Sequence, residues 1–368
     1  DQLKRLIPVE VAVFGEAPWR DYTVMQISDS AYGGASGLEH ASSHVDIVSP
    51  ASIGSTFQPS LYAHEIFHSW NVKRLRPADL YPYQYDRVQP TPWLWVSEGI
   101  TDYYADLAEV RAGVVDVPGF YALTAGKIGE IGVTTPFALE DASLNTWVHP
   151  KDGTEYSYYP KGSLAGLMLD VAIRDASDNK RSLDTVMREL YESTYMKGRG
   201  FTHDDVWGAV RRAAGGRSFD AFERDYVDGR TPYPWTTVLP VIGLRLVPDS
   251  APRLGVTTAP DPAGAVRVMQ VQPGSMAAGA DVRPGDILVR VGEVSVADEN
   301  FGAKFRARYA GKPAGTPLAL DVKRGEQTLV LRGPLTYSHS APRLIEDPAA
   351  TPRAVRLRNG ILRGTLDR

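Results

Sequence analysis

Apolar and small or polar residues alternate along Ile7-Pro8-Val9-Glu10-Val11-Ala12-Val13-Phe14. That period of two predicts a strand over residues 6–14, ended by Gly15-Glu16-Ala17-Pro18. Tyr22–Ile27 and Val45–Val48 read as further short strands, with a glycine-rich loop, Tyr32–His40, between them. From residue 59 the period lengthens. A helix is expected to start near Ser60, a suitable N-cap, and to stop before Pro77. A second carries Ile100, Tyr104 and Leu107 on one face, with Gly113 just past its end. A third has Pro160 in its first turn and Leu164, Leu167, Met168 and Val171 on one face; Ser182, Thr202 and Ser218 open shorter amphipathic patterns. Residues 1–58 are thus expected to be strand-rich and 59–230 mostly helical.

Beyond a linker with three prolines, Asp228–Pro240, the character changes again. Val266–Val271, Ile287–Val291, Leu318–Lys323 and Thr328–Leu331 are valine- and leucine-rich strand candidates between Gly/Pro turns. Ser275–Gly279 and Glu299–Tyr309 read as helices among them. The expected organisation is an α+β body over 1–235, a β-rich domain over 240–335 and a polar tail over 336–368, either loosely packed or wrapped back onto the body.

The 368 residues are 43% hydrophobic and 23% charged, an ordinary globular composition, and the formal net charge of −4 argues against a dedicated nucleic-acid binder. No apolar stretch approaches the ~18 residues that span a membrane. Cysteine is absent, which removes disulfides and thiolate ligands. A cysteine-free chain suits the cytosol and the bacterial periplasm; a periplasmic or secreted location is the expectation. The first residue is Asp1, so the chain reads as processed or as a piece of something longer.

The densest chemistry is Leu61-Tyr62-Ala63-His64-Glu65-Ile66-Phe67-His68-Ser69-Trp70. On a helix, His64 and His68 lie one turn apart on one face and can present two imidazole nitrogens to one zinc ion, with Glu65 directed at its water. A catalytic zinc needs a third protein ligand and one open position. Glu98, in Trp95-Val96-Ser97-Glu98-Gly99, is the best candidate. The competing reading is a pair of ordinary surface histidines. Asp102, one turn after Glu98, is either a hydrogen-bond partner for the outer nitrogen of a ligand histidine or a solvated carboxylate. In Tyr158-Tyr159-Pro160-Lys161-Gly162 a phenol at a helix start can donate to an oxyanion, although tyrosines are common here and most pack. Glu39, in Ser36-Gly37-Leu38-Glu39-His40, either pairs with a peptide's free amine or is a surface-turn carboxylate. Lys73, Arg74 and Arg76 either attract a peptide carboxylate or brace the fold, the second being favoured.

The stretch His64-Glu65-x-x-His68-Ser69-Trp70-Asn71-Val72-Lys73-Arg74-Leu75-Arg76-Pro77 resembles the signature of the PDZ-containing glycyl aminopeptidases, gluzincin zinc peptidases related to the aminopeptidase-N class. The resemblance implies a thermolysin-like catalytic domain with one zinc ion on His64, His68 and Glu98, and Glu65 as general base. It implies release of N-terminal glycine or alanine from peptides. Tyr159 matches the transition-state tyrosine of a Tyr-x-Lys-Gly motif. Gly37-Leu38-Glu39-His40 resembles the loop Gly-x-Met-Glu-Asn whose glutamate holds the substrate amine, with Leu38 and His40 departing from it. The longer gap between His68 and Glu98 is read as an inserted loop, Arg76–Pro92. Residues 240–335 resemble a PDZ domain, with Arg253-Leu254-Gly255-Val256 where a peptide's C-terminal carboxylate is received. That module is expected either to bind such a peptide or to serve as a packed structural unit. The resemblance also leads one to expect an N-terminal β-domain that this chain lacks. The rival expectations are a PDZ-assisted zinc endopeptidase and a scaffold protein with a vestigial peptidase site.

Overall fold

The structure is a computed structural model that describes residues 1–55, 57–260, 264–298 and 300–367. The chain mixes helix and sheet, and it divides into two compact units: Asp1–Val247 with Arg343–Arg368, and Pro248–Pro342.

The first unit opens with α1 (Gln2–Phe14), which corrects the strand expected over residues 6–14. The alternation there is real, but the face that packs follows the helical period: Leu6, Glu10, Val13 and Phe14 are buried. Phe14 stacks on Trp70 at 5.2 Å and tilts against Phe67 at 5.4 Å. Gly15, at φ 88°, closes the helix by donating to the Val11 carbonyl.

Strands β1 (Thr23–Ser28), β2 (Ala35–Glu39) and β3 (Ser43–Val48) form a sheet in the order β1-β3-β2, with β1 parallel and β2 antiparallel to β3. The segment expected as a glycine-rich loop is therefore partly an edge strand. Helix α2 (Phe57–Phe67) begins three residues before Ser60; Gly54 donates its amide to the Gln58 side chain, and Pro59 falls in the first turn, where its missing N–H costs nothing. A π-helical turn, Trp95–Ile100, runs into α3 (Thr101–Arg111). Then come α4 (Val117–Val133), α5 (Leu139–Asn145), α6 (Tyr158–Ala176), α7 (Leu183–Ser193), α8 (His203–Ala213), the single turn α9 (Asp220–Phe222) and α10 (Trp235–Val241). Ser182 and Thr202 each form a capping box. The core is aromatic: Phe67, Trp70, Trp95, Tyr104 and Tyr191 are all within 2% of complete burial.

Strand β4 (Leu244–Arg253) leads out of this unit. The second unit holds β5 (Val256–Pro260), β6 (Val266–Val271), α11 (Met276–Gly279), β7 (Ile287–Val291), β8 (Val294–Ser295), α12 (Phe301–Tyr309), β9 (Pro317–Arg324) and β10 (Gln327–Pro334). Its sheet runs β10-β9-β7-β6-β5, with every pairing antiparallel and β8 beside β7. Val268, Met276, Val291, Leu320 and Val322 fill its core. Glu299, expected to open the second helix, lies outside the described residues.

Strand β11 (Thr336–Glu346) returns the chain to the first unit, where α13 (Pro352–Arg363) packs. The tail is thus an integral helix. Thr351 caps its start, Leu357 and Ile361 are buried, and Arg111 and Arg174 donate to the carbonyls of Ile361 and Thr365.

Candidate metal centre and active site

Helix α2 carries His64, Glu65 and His68, and the π-turn carries Glu98. One carboxylate oxygen of Glu98 lies 3.3 Å from His64 Nε2 and 3.2 Å from His68 Nε2. The three ligand atoms all fall within 4.8 Å of one another. The outer nitrogen of His68 donates to the Asn71 carbonyl at 2.8 Å, which turns the Nε2 lone pair toward the cluster. Burial alone would depress the His68 imidazole, but the Glu98 carboxylate outweighs it and lifts it to about 10. Burial likewise favours the neutral acid of Glu98, and the two histidines reverse that, holding the carboxyl far below its usual range. Two imidazoles and a carboxylate of this disposition fit a divalent ion that accepts nitrogen and oxygen ligands.

Asn71 locks the two ligand-bearing segments together. Its side-chain amide donates to the Val96 carbonyl at 2.8 Å and to Thr101 Oγ1 at 3.0 Å, while its own carbonyl holds His68. The π-turn meets α6 through glycine. A Cβ on Gly99 would lie 2.5 Å from Gly162 Cα, and one on Gly162 would lie 2.8 Å from the Trp95 carbonyl oxygen. The glycines following Glu98 and Lys161 in the two motifs are thus one backbone contact, and it sets Glu98 beside Tyr159.

Glu65 is 4% exposed, and its Oε2 has no partner among the described atoms. Burial raises its carboxyl, partly offset by His68 and His64. Gly37 on β2 is required by this side chain, because a Cβ there would come 2.1 Å from Glu65 Oε1. The ring of Tyr159, in the first turn of α6, sits 5.8 Å from that of His64. Burial, then Glu98, raises its phenol well above the ordinary value, so it stays protonated and able to donate.

Two clefts flank the cluster. One, of about 280 Å³, is lined by Ser36, Gly37, Phe57, His64, Glu65, Asp102 and Tyr159. The other, of about 310 Å³, is lined by Glu39, Lys73, Tyr83, Tyr85, Leu94, Glu98 and Trp147. Glu39 ends β2, half-buried, with Lys73 Nζ 3.0 Å from its Oε1. Tyr83 and Tyr85 come from the stretch 76–92, which builds a wall of this second cleft. Asp102 lines the first cleft but is engaged by Lys127 at 2.6 Å rather than by a ligand histidine. Lys127 also holds Asp106 at 2.7 Å. Arg74 donates to the carbonyls of Pro18, Ala41 and Ser69, and Arg76 stacks 4.0 Å over Tyr83, so both brace the fold. In the second unit, the carbonyls of Leu254 and Gly255 accept from Ala277 and Gln272, tying Arg253–Val256 to α11 and its approach.

Sequence reasoning assigned no role to Asn71, Lys127 or Gly37. Asn71 and Gly37 did fall within the two motifs that carry the resemblance, Asn71 three residues after His68 and Gly37 two before Glu39.

Residues 58–165 match the family model of the M61 glycyl aminopeptidases. The match covers 108 of the 368 residues. The M61 segment holds every residue of the metal cluster, Glu65 and Tyr159, and M61 enzymes are peptidases. Over 98% of its length the chain is similar in structure to an aminopeptidase N family protein from Idiomarina loihiensis, with 22% identity and a TM-score of 0.66. The chain spans 65% of the length of that structure, and at this identity the likeness shows the fold. Weaker alignments reach the HtrA-type protease AlgW with a decapeptide (24% of this chain, 30% of that one, 20% identity, TM-score 0.21). They also reach the HtrA3 PDZ domain bound to a phage-derived ligand (28% of this chain, 93% of that one, 21% identity, TM-score 0.17). Both scores are too low to assign a fold. No curated protein matches the chain.

Proposed function

We propose that the chain is a zinc aminopeptidase that removes N-terminal residues from peptides, glycine or alanine being the residues the family resemblance favours. The observation that carries this reading is the convergence of His64, His68 and Glu98 with Glu65 and Tyr159 at one point between two clefts. A single zinc ion on His64, His68 and Glu98 supplies a fixed positive charge that acidifies water and polarises a carbonyl.

The chain's own groups do the rest. Glu65, with a free buried oxygen, takes the proton from the attacking water and returns it to the departing amine. Tyr159 donates its phenolic hydrogen to the carbonyl oxygen as negative charge builds there. Lys73 occupies one oxygen of Glu39, and a carboxylate has further acceptor sites, so Glu39 can also receive the peptide's amine. Strand β2 is a sheet edge, which leaves backbone groups open to an extended peptide. The second unit is read as a PDZ-like module. Its Arg253–Val256 segment, with Gly255 at φ 76°, is the proposed seat of a peptide's C-terminal carboxylate.

The test compares Gly- and Ala-capped peptides bearing a free amine with their N-acetylated forms, with and without a zinc chelator. Chelator-sensitive cleavage of the free-amine peptides alone is expected. Cleavage of both forms makes the chain an endopeptidase and removes Glu39 as amine anchor. Cleavage of neither, in protein that has been supplied with zinc and fails to retain it, rejects the peptidase reading in favour of a binding role.

A further inference from the structure

A cavity of about 230 Å³ lies in the first unit, apart from both clefts. Its walls include the apolar and aromatic side chains of Ile128, Pro136, Phe137, Tyr233 and Trp235, together with three threonines. Two cations line it as well, Lys161 and Arg230. Lys161 is 4% exposed. Its ammonium donates to the Phe137 carbonyl and lies 4.6 Å from the centroid of the Phe137 ring and 5.5 Å from that of Tyr233. An ammonium has three N–H donors, and among the described residues Lys161 has one acceptor and no carboxylate partner.

That is an unusual state for a buried cation, because charges in protein interiors are ordinarily paired. Ring faces provide a weak substitute, of about 0.5–2 kcal/mol. Burial, then the Arg230 guanidinium, pulls the Lys161 amine down to about 8. Arg230 is two-thirds exposed and reaches Asp141 at 3.2 Å, so it stands at the surface end of the site with a partner of its own. The cavity thus pairs an apolar, ring-lined body with one under-satisfied cation.

We infer that this cavity is a binding site for an apolar carboxylate, whose hydrophobic body fills the space between Phe137, Tyr233 and Trp235 and whose anionic head pairs with Lys161. The carboxylate comes either from a free acid of a few carbons or one ring, or from an apolar residue at a peptide C-terminus. The site does not depend on the peptidase reading. It would stand if that reading failed, since none of its residues belongs to the metal cluster or to either cleft beside it.

The experiment is calorimetric titration of the full chain with 3-phenylpropionate, with its uncharged amide, and with N-acetyl-Ala-Phe. Each is run before and after treatment with a chelator, because an acid bound at the metal centre is lost on chelation and one bound here is not. The expected result is chelator-insensitive binding of the acid, with the amide weaker by about 10–100-fold, the scale of one charge-assisted hydrogen bond. Binding of the peptide as well, if it is lost in Lys161→Met and so does not occur at the Arg253–Val256 seat, identifies a chain end as a source, and binding of 3-phenylpropionate alone identifies a free acid. Lys161→Met should abolish the preference for acid over amide. Should that variant fold poorly, wild-type protein still decides: affinity for the acid should fall about tenfold per pH unit above pH 8, as an uncharged Lys161 must take up a proton to bind. The charged groups nearest the ammonium for this purpose are Arg230 and its partner Asp141. Equal binding of acid and amide, binding abolished by chelation, or no binding of the acid at all overturns the inference.

Discussion

Replacing Gly162 by alanine sets two physical effects against each other. Alanine is the better helix former by about 1 kcal/mol, so propensity alone makes Gly162→Ala stabilising. Packing gives the opposite sign. The added Cβ would stand 2.8 Å from the Trp95 carbonyl oxygen, 2.9 Å from Gly99 Cα and 3.2 Å from Trp95 Cα. Unstrained contacts of this kind sit near 3.5 Å or beyond, so α6 and the π-turn must part by roughly 0.6 Å or more. All three obstructing atoms are backbone, and no side-chain rotation relieves the overlap. Overpacking of this kind costs about 1–3 kcal/mol, which exceeds the propensity gain over most of that range. The net loss, up to about 2 kcal/mol, lowers the melting temperature by up to roughly 4–8 °C for a unit of this size. The displacement separates Glu98 from Tyr159, and misplacing catalytic groups by about 1 Å costs on the order of 10²-fold in rate. Gly99→Ala should be worse, since its Cβ would meet Gly162 Cα at 2.5 Å and the Tyr158 carbonyl at 2.6 Å. Differential scanning fluorimetry and kcat/KM on a free-amine peptide read both effects. A Gly162→Ala variant that melts at or above the wild-type temperature and keeps wild-type kcat/KM refutes the reasoning.

Four further outcomes are expected. Glu65→Gln should eliminate turnover while metal analysis finds zinc retained; near-wild-type turnover would reject Glu65 as the base. Tyr159→Phe should lower kcat by roughly 10²-fold with little change in metal content, and an unchanged rate would remove it from the oxyanion role. Asn71→Ala removes the tether between the ligand-bearing segments, so metal affinity by competition with a fluorescent chelator should fall about 10–100-fold. Glu109 is buried, and burial followed by Asp106 raises its carboxyl to about 8. Because the folded-state value is raised, the fold favours the protonated form, and stability falls as pH rises from about 4.5 toward 8. Glu109→Gln should therefore raise the melting temperature at pH 8 and change it little at pH 5; a gain confined to pH 5 would reverse the assignment.

Helices α7 and α8, whose buried residues fall on one stripe, could be read directly from the chain, whereas α3 and α6 are buried nearly all round and only part of their inward surface was legible as a stripe. His64, Glu65 and His68 could also be read directly, since their spacing is itself the geometry. α1 misled, because Val9, Val11 and Val13 mimic a strand, while the burial that favours the helix, including the stacking of Phe14 on Trp70, is made against residues more than fifty positions away. Asn71, Lys127 and Gly37 act through partners distant in sequence: Val96 and Thr101, Asp102 and Asp106, and Glu65. No local pattern encodes such pairings. The same holds for Asp102, whose spacing from Glu98 suggested a histidine partner and whose actual partner comes from α4.

The return of α13 to the first unit makes that unit discontinuous in the chain, with the second unit inserted between its two segments. On the ribosome, the peptidase-like body therefore cannot finish when its first segment emerges. Arg111 and Arg174 wait for the carbonyls of Ile361 and Thr365, which are translated 250 and 191 residues later. At about 5–20 residues per second that delay is roughly 10–50 s, during which the first unit stays open.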